Sequence, residues 1–426
     1  MSLSQRLQEI RDGFERPFWV ANITEIFERL SYYGAFSSLA LYLQGQLNFS
    51  TEQTGTLTGI FGGMVWFLAI FGGAVADKLG FRRALSLAYL ILAAAYFLIG
   101  SIGAPWLAPI RNAIPLGLFV GFILILPALG ISLVKPCVVG TTARASKENV
   151  RSIGYSIYYT MVNIGGAAGP YVAGWAHARF GVETVFRIAA FSVFVMFFAV
   201  LFFYREPERT VEEPAPSVAV TVRNFFTVLS NPRFMLFLLV FTGYWIVFWQ
   251  QYIILPGYIQ RYINTDVPVE KILITDGAIV ICLTLLVNFL TRKIPAFQTV
   301  ILGTVISSLA WLIVAFRPTL WGAVFSLGFL ALGEIIQAPR YYEYIAKLAP
   351  AEQQGTYMGF AFLPIGIGSL LGGWFGGRVM HQFTEVAHQP ERVWYAITAV
   401  GLLTALLLWI YDRVVKPAAQ EPSSRV

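Results

Sequence analysis

Twelve long apolar runs alternate with short polar segments along the chain. Each run approaches the roughly 20 residues that an α-helix needs to cross the hydrocarbon core of a bilayer. The pattern predicts an all-α membrane protein with twelve transmembrane helices. Helices 1, 4, 5, 10 and 11 are broken by polar residues, Gly or Pro, and this interruption indicates contact with a cavity rather than with lipid. The runs are centred near residues 31, 65, 94, 125, 165, 195, 245, 282, 307, 334, 368 and 402.

A polar stretch in the middle of the chain separates six runs from six. Its start, "REPERTVEEPAP", is rich in Glu and Pro and reads as a linker. The first residues are polar and amphipathic and lack the apolar core of a signal peptide, so the first run is expected to remain as a span. The predicted segments are an amphipathic N-terminus 1–17, an N-terminal bundle 18–204, a linker 205–233, a C-terminal bundle 234–413 and a tail 414–426.

Composition and charge agree with a membrane protein. The chain is 57% hydrophobic and 12% charged, against about 25% charged residues in soluble domains. With both termini in the cytoplasm, nineteen Lys and Arg fall in cytoplasmic segments and eight in the opposite loops. This asymmetry predicts a multi-pass protein of the cell (inner) membrane with cytoplasmic termini. The net charge of +7 then reflects topology and contact with anionic lipid, and not nucleic acid binding.

The two halves of the chain carry a short internal repeat. The stretch "GPYVAGW" in helix 5 and the stretch "GSLLGGW" in helix 11 match at two Gly and one Trp when offset by 199 residues. The same offset places Lys135 of helix 4 onto Glu334 of helix 10. Equivalent positions of two symmetric halves face each other across the central axis. We therefore expect Lys135 and Glu334 on facing helices, approaching each other when the cytoplasmic side closes.

Charged residues in helix 1 form a stripe. Glu25, Glu28, Arg29, Tyr32 and Phe36 recur at helical spacing and lie on one face. Charges inside a membrane are expensive and usually face a bundle interior or a wet cavity. The stripe therefore predicts a functional ion cluster. A buried network that only supports the fold is the alternative.

The loop "GGAVADKLGFRR" between helices 2 and 3 resembles the loop signature of the major facilitator superfamily. An ordinary positively charged turn is the alternative interpretation, but the whole spacing matches. Physically, Asp77 is expected to cap or pair with a neighbouring helix end while the basic residues stay at the membrane surface. The matching residues are Gly73, Asp77, Lys78, Gly80, Arg82 and Arg83.

A motif in helix 1 points to one family within this superfamily. "EIFERLSYY" is similar to the helix 1 motif of the proton-coupled oligopeptide transporter family. "KP" in helix 4, "YYTMVNIGG" in helix 5 and "GEIIQAP" in helix 10 resemble further signatures of that family. The resemblance implies a major facilitator fold of two pseudo-symmetric six-helix bundles. It also implies import of small peptides or peptide-like solutes with protons, without another cofactor.

The same resemblance implies roles for individual residues. Arg29 and Lys135 would hold a carboxylate of the solute, and Glu334 and Asn163 its amino terminus. Glu25 and Glu28, with Arg29, would couple protons. Lys135 and Glu334 would also act as a gate. The aromatic residues expected to form side-chain pockets are Tyr32, Tyr33, Tyr159, Tyr244 and Trp245.

The sequence also departs from the family. Trp249 stands where an acidic residue is usual in helix 7, and Asp276-Gly277 stands where helix 8 usually has Asn-Pro. These differences leave the solute open, and a proton-coupled exporter of drugs or metabolites is the alternative function. No catalytic constellation or metal-ligand spacing is apparent, so we expect neither enzymatic activity nor a metal. The expected partners are a small solute or short peptide and the lipid bilayer, with the chain acting as a monomer.

Overall fold

The computed structural model describes residues 12–207, 223, 226–350 and 354–415. Within them the chain forms twelve long helices and no strand, which confirms the predicted all-α membrane fold. Judged by length and apolar composition alone, nine of the described helices could span a membrane. The helices are α1 (Arg16–Leu41), α2 (Thr51–Leu79), α3 (Phe81–Ile99), α4 (Leu116–Arg144), α5 (Arg151–Phe180), α6 (Val182–Phe203), α7 (Pro232–Phe248), α8 (Val269–Thr291), α9 (Ala296–Phe316), α10 (Leu320–Leu348), α11 (Leu363–Met380) and α12 (Arg392–Val414).

The even number of helices puts both ends of the described chain on one side of the bundle. We call the side where α1 begins and α12 ends the terminal side, and the other the opposite side. The predicted N-terminal segment, linker and tail lie partly outside the described residues.

Polar side chains begin several helices as the sequence suggests. Ser50 and Gln53 form a reciprocal capping box at the start of α2. Asn231 accepts a hydrogen bond from the backbone N–H of Phe234 at the start of α7. These bonds satisfy backbone donors that a helix leaves unpaired in its first turn. They fix where α2 and α7 begin.

Two glycines join consecutive helices without a loop. Gly80 separates α2 from α3, and Gly181 separates α5 from α6. Both have positive φ, 79° and 86°, in a region that other residues rarely adopt. Each joint therefore reverses the chain within one residue, and the two equivalent joints have the same backbone geometry.

The internal repeat is visible in how its glycines pack. A Cβ on Gly169 of α5 would lie 2.6 Å from the Leu30 carbonyl oxygen of α1. A Cβ on Gly368 of α11 would lie 3.0 Å from the Trp245 backbone carbon of α7. Thus α5 packs closely on α1, the first helix of the N-terminal bundle, and α11 packs closely on α7, the first helix of the C-terminal bundle. The close approach confirms two pseudo-symmetric six-helix bundles.

Irregular backbone occurs at positions that the sequence did not indicate. The helices α1, α4, α5 and α10 are continuous, although α4, α5 and α10 contain Pro beyond their first turn. In contrast, α7 ends at Phe248, and two four-residue helices separated by Ile254 continue its path. The short helix Gln354–Phe360 leads into α11. Apart from helix 11, the interruptions in the apolar pattern therefore mark polar faces and not breaks in the helices.

Candidate functional site

A cavity of about 480 Å³ lies between the two bundles. Its walls come from α1, α2 and α5 on one side and from α7, α8, α10 and α11 on the other. It extends toward the terminal side, reaching Asn288 near the end of α8 and Tyr342 near the end of α10. The lining residues used below are Tyr33, Trp66, Tyr159, Asn163, Trp245, Trp249, Asp276, Glu334 and Tyr342.

Buried polar contacts between the bundles close the opposite side. Ser38 of α1 donates a hydrogen bond of 2.9 Å to Oε1 of Glu270 at the start of α8. Nδ1 of His177, near the end of α5, lies 2.7 Å from the same oxygen. Glu270 is fully buried. One carboxylate thus links three helices from both bundles.

A second set of contacts on the opposite side is centred on Arg261. Its guanidinium donates to Thr51 Oγ1 at 3.0 Å and to Gln44 Oε1 at 3.1 Å, both in the N-terminal bundle. Thr51 also donates to Glu385, which follows α11, at 2.5 Å. Together with the Glu270 contacts, these bonds hold the bundles together on the opposite side. The described contacts therefore close the opposite side, and the cavity extends toward the terminal side.

The charged stripe of α1 forms a compact buried cluster. Arg29 Nε lies 2.5 Å from Glu28 Oε2 and 3.3 Å from Glu25 Oε1. The arginine is 2% exposed, and both glutamates are fully buried. Both oxygens of Glu25 lack a hydrogen-bond partner among the described residues, as does Oε1 of Glu28. The cluster is thus ionic but incompletely hydrogen-bonded.

The glycines of α5 place this helix against the cluster. A Cβ on Gly165 would lie 2.8 Å from the Arg29 Cβ, so only Gly permits this approach. Asn163, two residues earlier, lines the cavity, and its Nδ2 donates to the Tyr159 carbonyl oxygen at 2.8 Å. Its side-chain oxygen is left to accept a further bond.

Lys135 lies behind the cavity wall. Its Nζ is 3.9 Å from the centre of the Trp66 ring and 5.1 Å from that of Phe362. It interacts electrostatically with the α1 cluster and forms no ion pair with Glu334. The expected approach of Lys135 to Glu334 concerns a state closed on the terminal side, so it stays a prediction.

The structure separates the predicted site residues into two groups. Those of the first line the cavity: Tyr33, Tyr159, Asn163, Trp245 and Glu334. Those of the second are packed outside the lining: Glu25, Glu28, Arg29, Tyr32, Lys135 and Tyr244.

The expectation that Tyr32 and Tyr244 form solute pockets is wrong for this state. The Tyr32 ring stacks on Phe61 with centroids 5.5 Å apart, whereas Tyr33 faces the cavity. Successive residues of a helix point in directions about 100° apart, so only one of the pair reaches the cavity. Tyr244 is fully buried, and its ring lies parallel to that of Phe241.

Asp276 is a cavity residue to which the sequence assigned no role. Its side chain is 8% exposed, and its Oδ1 has no hydrogen-bond partner among the described residues. It shares the cavity with Glu334, whereas the described lining contains no Lys, Arg or His. The sequence feature that could have pointed to Asp276 is the Asp276-Gly277 pair, which stands where the family usually has Asn-Pro.

Trp249, in place of the usual acid, helps to close the cavity toward the opposite side. It is 2% exposed, and its Nε1 donates to the Ile365 carbonyl oxygen at 3.1 Å. Its ring also contacts Phe36, with centroids 5.4 Å apart. The indole thus links α7 to α11 and to α1.

The loop motif is built around Gly80. Carboxylate oxygens of Glu206 accept the backbone N–H groups of Phe81 and Arg82 at 2.8 and 2.7 Å. Glu206 therefore caps α3, a role that no sequence pattern indicated. The Asp77 side chain is outside the described residues. Of the other motif residues, Lys78, Arg82 and Arg83 are exposed, and Gly73 faces Pro136.

Comparison with known proteins gives consistent results. A family model described as Major Facilitator Superfamily matches residues 22–333 and, in an overlapping match, 277–425. The multidrug resistance protein MdtH of Yersinia enterocolitica is 24% identical over 393 residues, covering 90% of this chain and 92% of the relative.

Three solved structures share the fold. A peptide transporter POT in complex with sulfate superposes with a TM-score of 0.74 at 19% identity, covering 93% of this chain and 95% of that one. A POT family transporter in complex with 5-aminolevulinic acid superposes with a TM-score of 0.76 at 15% identity, covering 94% of this chain and 97% of that one. A mutant of the nucleoside transporter NupG superposes with a TM-score of 0.77 at 13% identity, covering 92% of this chain and 99% of that one. At these identities the likeness concerns the fold alone.

Proposed function

The chain belongs to the major facilitator superfamily, and from this premise we propose that it is a proton-coupled transporter. It imports small peptides or peptide-like and amino-acid-like solutes by alternating access. The observation that carries the proposal is a cavity between two symmetric bundles, closed by polar contacts on the opposite side and extending toward the terminal side, beside a buried cluster of two glutamates and an arginine.

Alternating access follows from the placement of the contacts between bundles. The polar contacts of Glu270 and Arg261 lie on the opposite side of the cavity. Rocking the bundles about the cavity would break these contacts and bring α4 and α5 toward α10 and α11 on the terminal side. Such movement of one repeat against the other is the usual mode of secondary transporters. Lys135 and Glu334 would then approach each other as a gate.

Proton coupling is assigned to the α1 cluster. Glu25 and Glu28 both interact with Arg29, and protonating either carboxylate would leave the guanidinium freer to attract an anionic group. Solute binding and protonation would then favour each other, because coupling between two ligands is reciprocal. One proton moving down about 100 mV and one pH unit supplies roughly 3.7 kcal/mol, which supports about 500-fold accumulation of a neutral solute.

Recognition of the solute is assigned to the cavity wall. Glu334 would bind a free amino group, assisted by the side-chain oxygen of Asn163. Tyr33, Tyr159 and Trp245 would contact the apolar parts of the solute. A volume of about 480 Å³ falls within the range of small-molecule sites.

An exporter of drugs is the second candidate function. Two observations favour it: the MdtH relatives at 23–24% identity, and a cavity that contains Asp276 and Glu334 but no described basic residue. Such a protein would exchange its solute for protons rather than carry both in one direction.

Solute flux in proteoliposomes tests the proposal. The purified protein is reconstituted and supplied with labelled dipeptides, amino acids and aromatic amines under an imposed proton gradient. Import predicts accumulation when the lumen is alkaline relative to the outside, and export predicts it when the lumen is acidic. If neither gradient drives any of these solutes across the membrane, the proposed function is wrong.

A further inference from the structure

We propose that Asp276 and Glu334 together form a binding site for a cationic amine. The preferred solute in the state open to the terminal side then carries a net positive charge. This inference rests on the proposed transport function and specifies its solute class: among peptide-like amines with an aromatic or apolar body, those without a free carboxylate are preferred over zwitterions.

The first support is the position of the two carboxylates. Asp276 belongs to α8 and Glu334 to α10, and both side chains line the cavity. Asp276 is more than nine-tenths buried, yet its Oδ1 accepts no hydrogen bond from a described residue. Neither carboxylate has an ion-pair partner among the described residues. A buried acceptor left without a partner is costly, so a donor on a ligand would stabilise it.

The second support is the charge balance of the two bundles. In the N-terminal bundle, Arg29 and Lys135 formally offset Glu25 and Glu28. In the C-terminal bundle, Asp276 and Glu334 face the cavity without such compensation. Two carboxylates that share a buried site disfavour each other's ionised form. A cation between them would remove this repulsion.

The third support is that both candidate cations for a solute carboxylate are already engaged. Arg29 is 2% exposed and paired with Glu28 and Glu25. The Lys135 ammonium lies over the Trp66 ring, and Lys135 is not among the residues that line the cavity. A solute carboxylate would therefore meet no basic side chain among the described lining residues, and it would add a third negative charge.

Aromatic rings complete the site. Tyr159, Trp245 and Tyr342 line the same cavity as the carboxylates. Aromatic faces attract cations, and their apolar surface favours an aromatic or aliphatic body on the solute. An amine attached to an apolar group satisfies both parts of the wall.

Four forms of one dipeptide test the inference on the wild-type protein. The probes are phenylalanyl-phenylalanine, its C-terminal amide, its N-acetyl derivative and the N-acetyl amide, and binding to the detergent-purified transporter is measured by calorimetry. The four differ in charge while keeping the same aromatic body. We expect the cationic amide to bind about tenfold more tightly than the zwitterion, the difference expected for one charge-assisted contact. Both N-acetylated forms should bind more weakly than their free-amine counterparts.

Two variants test whether Asp276 and Glu334 are the residues that bind the amine. Asp276→Asn and Glu334→Gln should each weaken binding of the amide about tenfold and leave the neutral N-acetyl amide unaffected. Glu343→Gln is the control, because Glu343 pairs with Arg340 and Lys347 outside the cavity lining. If a variant fails to fold, the comparison of the four probes on the wild-type protein still decides.

Two results would overturn the inference. One is a zwitterion that binds as tightly as the amide, and the other is an Asp276→Asn protein that keeps full affinity for the amide. Proton-driven transport of the zwitterion without any preference for the amide would leave the proposed function intact. In contrast, a clear preference for the amide without any proton-driven flux would support the site and contradict the proposed function.

Discussion

Glu28 and Arg29 form an ion pair of 2.5 Å within α1, where the glutamate is fully buried and the arginine is 2% exposed. Glu25 reaches the same guanidinium at 3.3 Å but accepts no hydrogen bond from a described residue. An incompletely satisfied buried network stabilises a fold poorly. The arrangement is better suited to a network whose partners exchange during transport.

The first prediction concerns the two glutamates of α1. Glu25→Gln and Glu28→Gln remove a titratable group while preserving its shape, so proton-driven uptake should fall to the level of protein-free liposomes. At least one variant should keep exchange of labelled for unlabelled solute, because exchange requires binding and movement but no net proton transfer. Both rates are measured in the same proteoliposomes.

A matched control is available on α6. Glu183 pairs with Arg187 at the same spacing of four residues, at 3.2 Å, but its side chain is 34% exposed and that of Arg187 is 51% exposed. Glu183→Gln should keep both uptake and exchange. Proton-driven uptake at wild-type rates in Glu25→Gln and in Glu28→Gln would show that the α1 cluster does not couple protons.

The second prediction separates binding from packing on α5. Asn163→Leu should weaken solute binding with near-normal expression, since Asn163 lines the cavity. Gly169→Val should instead destabilise the fold by about 1–3 kcal/mol through overpacking, because a Cβ there would meet the α1 backbone. Solute affinity and thermal unfolding of both variants distinguish the roles. Unchanged affinity in Asn163→Leu would indicate a purely structural amide.

The third prediction concerns the contacts of Arg261. Arg261→Ala removes hydrogen bonds to Thr51 and Gln44, so the state open to the opposite side should become more populated. Spin labels on Asn48 and Asp266, in loops of different bundles on the opposite side, should then report a longer distance. Arg378→Ala is the control, because Arg378 lies over Trp374 of its own helix. An unchanged label distance in Arg261→Ala would show that these bonds do not hold the opposite side closed.

The fourth prediction concerns the terminal side. Labels on Lys147 and Lys347, on the two bundles, should approach each other when solute and acidic pH favour closure there. Lys135 and Glu334 would approach each other in the same movement. Glu334→Gln should reduce the population with the short distance, because it removes the anionic member of the pair. A short-distance population of wild-type size in this variant would contradict the gating role.

The sequence revealed the fold and one charged cluster because both depend on local patterns. Apolar runs are long enough to define the helices, and the spacing of Glu25 and Arg29 puts them on one face before any packing is known. The 199-residue offset identified Gly169 and Gly368 as equivalent, and both contact the first helix of their own half.

Features that depend on helix rotation and on distant contacts were not predictable. Because α8 is apolar almost throughout, its periodicity does not reveal that Asp276 faces the cavity. Tyr32 and Tyr33 are adjacent in sequence, yet only Tyr33 reaches the solute space. Glu206 caps α3 from a position more than a hundred residues away. The helix break after Phe248 falls beside Trp249, which contacts Phe36 of α1 and Ile365 of α11, and neither contact could be read from the sequence.

Proton movement that depends on solute tests the central claim most directly. Proteoliposomes are loaded with a pH-sensitive dye and start with the same pH on both sides of the membrane. An inward solute gradient is then applied with the membrane potential clamped. Proton-coupled import predicts acidification of the lumen in the wild-type protein and no change in a Glu25→Gln, Glu28→Gln double variant. A lumen whose pH does not respond to a solute that the wild-type protein demonstrably carries would contradict proton-coupled transport.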